Sequence, residues 1–204
     1  KPVSKAQIMD ELWYGRDAQR TQVNLHTTVY QLRKDLEAGG LSDLIGQTKQ
    51  AGGSYRLHWS VSFDDVAAYE EQVRLFRLTR SVTYALQAVQ LYGAGYLAGS
   101  GYVWAAPRQA ELELGYVDLL EAIVDIYVRQ QRYEIALGPL RKWAELNPLS
   151  GRLHAKMIAL LLLLDRVADA RAYHELAQEL LEESEQAAEL EYDTIAADPT
   201  LAFS

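Results

Sequence analysis

The stretch RTQVNLHTTVYQLRKDL, Arg20–Leu36, decides how this chain is read. Leu25, Val29, Leu32 and Leu36 recur at spacings of four, three and four, the period of an amphipathic helix. At roughly 100° per residue they share one face. Arg20, Asn24, Thr27, Thr28, Gln31 and Lys34 are predicted on the opposite face, and His26 near the apolar one. The polar face holds no acid and is rich in side chains that hydrogen-bond phosphates and base edges. An ordinary solvated helix face has the same polarity, so the flanking sequence has to decide between the two.

Upstream, Val3-Ser4-Lys5-Ala6-Gln7-Ile8 reads as a helix start, with Ser4 as cap, Gln7 completing a capping box, and Val3 and Ile8 as a hydrophobic staple. Ile8, Met9, Leu12 and Trp13 continue as an apolar stripe, and Tyr14–Asp17 reads as a turn. The helix over 20–36 then stops at Ala38-Gly39-Gly40. Two helices joined by a short turn make a helix-turn-helix pattern. Leu44–Thr48 and Ser54–Trp59 alternate as two short strands around a Lys49–Gly53 tip, a hairpin wing over 47–57 that carries Lys49 and Arg56.

The ordered set VSKAQIMDELW, LHTTVYQLRKDL and GGSYRL resembles the winged helix of OmpR/PhoB-type regulators. The resemblance implies that the helix ending in LRKDL enters the DNA major groove and that the Gly-Tyr hairpin touches backbone or minor groove. In that family a small sheet and a first helix precede the VS motif. They are not seen here, and the chain opens at Lys1 without Met, so it is read as a fragment whose winged helix is truncated at its N-terminal side.

Val61–Val66 is expected to close this first domain, with Asp64 or Asp65 capping the next helix rather than forming a catalytic acid pair. Phe63-Asp64 with Tyr69-Glu70, then AVQLYGAGYL over 88–97, then Trp104, Arg108 and Leu112 resemble the antibiotic regulatory protein (SARP) family. In that family a bacterial transcriptional activator domain follows the winged helix. Arg132-Tyr133-Glu134-Ile135-Ala136 recurs as Arg166-Val167-Ala168-Asp169-Ala170, an offset of 34 residues, the tetratricopeptide (TPR) period. Asn147-Pro148 stands at the expected turn. Tyr92, Tyr96 and Tyr102 are expected in the core of this helical half, a partner groove being the alternative. Glu175, Glu179, Glu182, Glu183, Glu185, Glu189, Glu191 and Asp193 form an acidic stretch, read as a solvated face and tail, with a contact surface for polymerase or a regulatory partner as the alternative. Asp198-Pro199 resembles the tail that ends the domain in the family.

Composition narrows the function classes. Residues 1–63 hold eight Lys and Arg against six acids, a net of +2, whereas residues 64–204 hold twelve against twenty-two, a net of −10. This excludes bulk coating of nucleic acid but leaves room for a local reading surface. There is no cysteine, which excludes disulfides and cysteine-ligated metals and fits a reducing, cytoplasmic setting. The longest apolar run, MIALLLLL over 157–164, is far short of the roughly 18–20 residues of a membrane span. His26, His58, His154 and His174 have no metal-ligand spacing. Gly93–Gly99 has its third glycine one place late for a dinucleotide loop and follows a helix where a strand is required. No nucleophile elbow and no phosphate-binding loop is present.

The expectation is a mainly α chain. It has a truncated winged helix-turn-helix over 1–62 and an all-α TPR-like activator domain over 63–204. It is not an enzyme, and neither cofactor, metal, membrane nor small-molecule substrate is expected. The resemblance implies double-stranded promoter DNA as ligand, RNA polymerase as a partner and a homodimer, in a stand-alone regulator or the output half of a two-component response regulator. The alternative is a TPR-type interaction module whose winged helix no longer binds DNA.

Overall fold

The computed structural model describes residues 2–48, 52–58, 64–181 and 191–203. The chain is mainly α-helical and divides into two compact units: residues 1–64 with Tyr102–Trp104, and residues 65–101 with 105–204.

The first unit opens with a two-residue strand, β1 (Val3–Ser4), followed by α1 (Lys5–Trp13) and α2 (Ala18–Ala38). Ser4 caps α1, its hydroxyl accepting from the Gln7 N–H at 3.1 Å. Asp17 caps α2 by accepting from the Arg20 N–H at 2.9 Å. The double glycine ends α2 in a Schellman motif: Leu41 N–H bonds the Leu36 carbonyl at 2.8 Å and Gly40 N–H bonds that of Glu37 at 3.0 Å. Gly40 takes the left-handed conformation, φ +75°, that this closure requires. The wing is β2 (Ile45–Thr48) against β3 (Ser54–Leu57), antiparallel, with Ile45 opposite Leu57 and Thr48 opposite Ser54. β1 adds to the other edge of β3, Val3 opposite Tyr55, giving a three-stranded sheet in the order β1-β3-β2. Val3 and Ser4 are thus strand as well as helix start, a pairing that local periodicity does not reveal.

Leu25 and Tyr55 are buried in this unit. Leu12, Leu32 and Leu57, however, stay 46, 44 and 46 % exposed. They line an open apolar groove of about 390 Å³ with Ile8, Trp13, Leu25 and Val29. The apolar face of α2 is therefore only partly covered by the described residues.

The second unit is helical: α3 (Asp65–Thr79), α4 (Val82–Tyr92), a 3-10 turn ending at Ala105, α5 (Ala106–Arg129), α6 (Tyr133–Leu146), α7 (Gly151–Leu163), α8 (Val167–Leu181) and α9 (Tyr192–Ala197), then a 3-10 segment Pro199–Phe203. From α3 to α8 each helix packs on the next, and α9 and the last segment return onto α7. The 34-residue repeat is written in the backbone. α5 and α7 both end with a left-handed residue, Gln131 (φ 58°) and Asp165 (φ 60°). Both are closed by the same bonds: Arg132 N–H to Tyr127 O and Arg166 N–H to Leu161 O, each at 2.8–2.9 Å. Ala136 and Ala170 then lie fully buried, where a larger side chain would hold the paired helices apart.

Several expectations are corrected here. Tyr92 packs as expected, stacked on Tyr116 with centroids 4.0 Å apart, but Tyr102 is 53 % exposed and stacks on Trp104 instead. Asp65 accepts from the Val66 N–H at the start of α3. Glu182, Glu183, Glu185 and Glu189 of the acidic stretch, and Val61–Phe63 at the expected boundary, lie outside the described residues. Just before the apolar run, Lys156 is 1 % exposed. Its ammonium donates to Glu121 at 2.8 Å and Asp125 at 2.6 Å and lies over the rings of Trp143 and Phe203. No helix of the described residues is long and apolar enough to cross a membrane.

Candidate nucleic-acid interface

α2 is held by its inward residues. Thr21 and Leu25 are buried, and the Thr21 hydroxyl donates back to the Asp17 and Ala18 carbonyls, so its polarity is satisfied within the first turn. The other side of the helix stands in solvent. Arg20, Asn24, Thr27, Gln31 and Lys34 are all exposed. Between the capping Asp17 and Asp35 the chain has no acid but has Arg20, Arg33 and Lys34. From Arg20 to Lys34 the strip runs about 21 Å at 1.5 Å per residue, and a major groove about 12 Å wide admits a helix of this kind.

The side chains of the strip differ in what they have left to offer. Thr27 donates its hydroxyl to the Val23 carbonyl at 3.0 Å and keeps lone pairs to accept with. Gln31 donates through Nε2 to Asp35 Oδ1 at 2.9 Å, so an acid reaches the face expected to hold none. Lys34 lies with its ammonium 5.2 Å from the centre of the Tyr30 ring. Thr28 is exposed but does not share the centre of the polar side. It borders the apolar groove beside Leu25, Val29 and Leu32, as its helical angle next to Leu32 dictates. His26, expected near the core face, is exposed, with Lys5 Nζ 3.4 Å from its ring nitrogen.

On the wing, Arg56 is exposed on β3 opposite Gly46, while Lys49 lies outside the described residues. Two residues that sequence reasoning passed over fix the wing to the helices. Arg33 donates from its guanidinium to the Ile45 carbonyl at 3.1 Å, tying α2 to β2. Lys5 gives its backbone N–H to the Gly53 carbonyl at 3.1 Å and sets its ammonium over the Tyr55 ring. The turn before β3 is consequently tight. Gly53 has φ +87°, and a Cβ there would meet Lys5 Cε at 3.0 Å and the Thr48 carbonyl at 3.3 Å. Only the LRK run hinted at Arg33; the Lys5 contact spans 48 residues and has no local signal.

Val23 and Tyr30 were also passed over. They are 65 and 60 % exposed on the outward side of α2. Among the described residues no three His, Asp or Glu are grouped so as to hold a metal ion.

In comparison with known proteins, residues 62–192 match the family described as the bacterial transcriptional activator domain, BTAD. No curated protein and no solved structure matches.

Proposed function

The chain belongs to the bacterial transcriptional activator domain family, and from that premise we propose that it is a sequence-specific DNA-binding transcription regulator, an activator of the SARP type. The observation that carries this reading is the exposed polar strip of α2, with Arg20 and Lys34 and no acid between Asp17 and Asp35, beside a β-hairpin, in a unit that precedes the activator domain. In this reading Arg20, Lys34, Lys49 and Arg56 contact phosphates and set the register of the protein on the duplex. Asn24, Thr27, Thr28 and Gln31 meet base edges in the major groove. The TPR-like helices dimerise the protein or relay a signal, with RNA polymerase as the partner at the promoter and the cytoplasm as the setting.

The test is a mobility-shift titration of the chain on the DNA upstream of its own and neighbouring genes, repeated over a salt series. Specific retardation whose log affinity falls linearly with log salt supports the reading. A chain that retards no fragment at low salt, yet self-associates or captures a partner through its helical unit, is an interaction module instead.

A further inference from the structure

Along one flank of the polar strip of α2 runs an apolar stripe. Val23, Thr27 and Tyr30 stand at i, i+4 and i+7, the spacing of a helical stripe, on the side away from Leu25 and Leu36. Val23 and Tyr30 are 65 and 60 % exposed, and Thr27, between them, has its hydroxyl turned back to the Val23 carbonyl. Scattered apolar residues on a surface are ordinary. A β-branched and an aromatic residue are, however, among the weaker helix formers, and here the fold gives them no compensating burial. Arg20 and Lys34 stand near the two ends of the stripe with no acid between them. A surface with cations at its ends and methyl-bearing groups in the middle is complementary to a groove walled by phosphates and floored, at T·A pairs, by C5-methyl groups.

We propose that Val23 and Tyr30 are specificity-determining residues that read thymine C5-methyl groups in the major groove. The proposal rests on the regulator reading above and deepens it. Seven residues place the two side chains about 10.5 Å apart along the helix, about three steps at 3.4 Å per base. The recognised half-site therefore carries two T·A pairs about three positions apart, with the polar contacts of Asn24 and Gln31 on the bases between and beside them. The Lys34 ammonium, 5.2 Å from the centre of the Tyr30 ring, keeps a positive charge close to the phosphate wall.

The experiment uses the full chain and a DNA fragment that it retards specifically, with each thymine replaced singly by deoxyuridine, a change that removes only the methyl group. Two positions about three steps apart are expected to lose roughly fourfold in affinity each, the scale of one buried methylene-sized group. Val23→Ala is expected to abolish the loss at one of them and Tyr30→Ala at the other, with helical content kept because both sites are exposed. Deoxyuridine substitution without effect at every position overturns the proposal while the regulator reading stands. So does undiminished methyl sensitivity in both variants. Sedimentation of the same variants supplies the remaining arm: if Val23→Ala or Tyr30→Ala dissociates an oligomer and leaves DNA affinity unchanged, the stripe is a protein contact and the proposal falls. A chain that binds no fragment specifically removes the regulator reading and this one together.

Discussion

Lys156 is a buried cation whose charge is held by two carboxylates. It is almost fully buried between Glu121 and Asp125, and Glu121 also pairs with the half-exposed Arg152 at 2.6 Å. Burial pushes the Asp125 carboxyl above its ordinary range even though Lys156 pulls the other way. Removing one partner of a buried pair leaves a charge without compensation. Lys156→Met is expected to cost about 3 kcal/mol at neutral pH, read from urea unfolding. A carboxyl raised in the folded state stabilises the fold where it is protonated and loses that contribution as pH rises through its folded value. The deficit of Lys156→Met should therefore shrink as the solution is acidified through the carboxylate range, because Asp125 then gives up its charge. Tyr69 follows the same rule at the alkaline end. Burial lifts its phenol from 10.0 to about 12, so the stability it gives is whole below pH 10 and is lost as pH rises from there to about 12. Burial raises the phenols of Tyr92, Tyr116 and Tyr173 as well, so phenolate absorbance should show a late-titrating group of tyrosines, and Tyr69→Phe should remove one of them and soften the alkaline fall in stability.

At the scale of the element, the helices were legible because their causes are local. Ser4 caps where a hydroxyl precedes an apolar period, and Gly39-Gly40 stops α2 where the left-handed turn needs no Cβ; Asp17, read only as part of a turn, caps α2 at Ala18, two residues before the expected start. The 34-residue offset was legible for the same reason, since Ala136 and Ala170 answer one packing need twice. What was not legible depends on partners far away in sequence. β1 exists because Val3 meets Tyr55, and Lys156 is tolerated within an apolar helix because Glu121 and Asp125 face it from α5. The site divides along the same line. The exposure of Arg20, Asn24, Thr27, Gln31 and Lys34 followed from the helical period. The tie from Arg33 to Ile45 required the wing in place, whereas the place of Thr28 beside Leu32 at the groove lay in the helical angle. The wing turn gives this a measurable form. Gly53→Ala puts a side chain at φ +87° against the Thr48 carbonyl and is expected to destabilise the hairpin by about 1–3 kcal/mol. Amide exchange of β2 and β3 should accelerate while that of α7 stays unchanged.

On the scale of the whole molecule, the formal charge of −8 conceals a +2 segment over 1–63 ahead of a −10 remainder. The acidic part repels a polyanion, so on the proposed regulator reading DNA affinity comes from a few placed cations, and its salt dependence should be shallow. Lys34→Ala is expected to reduce the slope of log affinity against log salt by about one and to weaken all sequences alike. Gln31→Ala should leave that slope unchanged and relax the preference at one base pair, by roughly 1–3 kcal/mol if a bidentate contact is lost. A matching loss on every sequence for both variants would contradict the division between phosphate and base contacts. The interaction-module alternative predicts no slope at all.

α7 is enclosed by α6, α8, α9 and the 3-10 segment that closes the chain, and nine of its thirteen residues are buried. A helix walled in on so many sides has no private route to solvent: its amide protons trade with deuterium only when the whole helical unit comes apart. In heavy water the Leu153–Leu161 amides should thus be the last to fade, and their decay rate is a direct clock for global opening. Any partner that grips the folded unit ought to slow that clock, whether or not it touches α7.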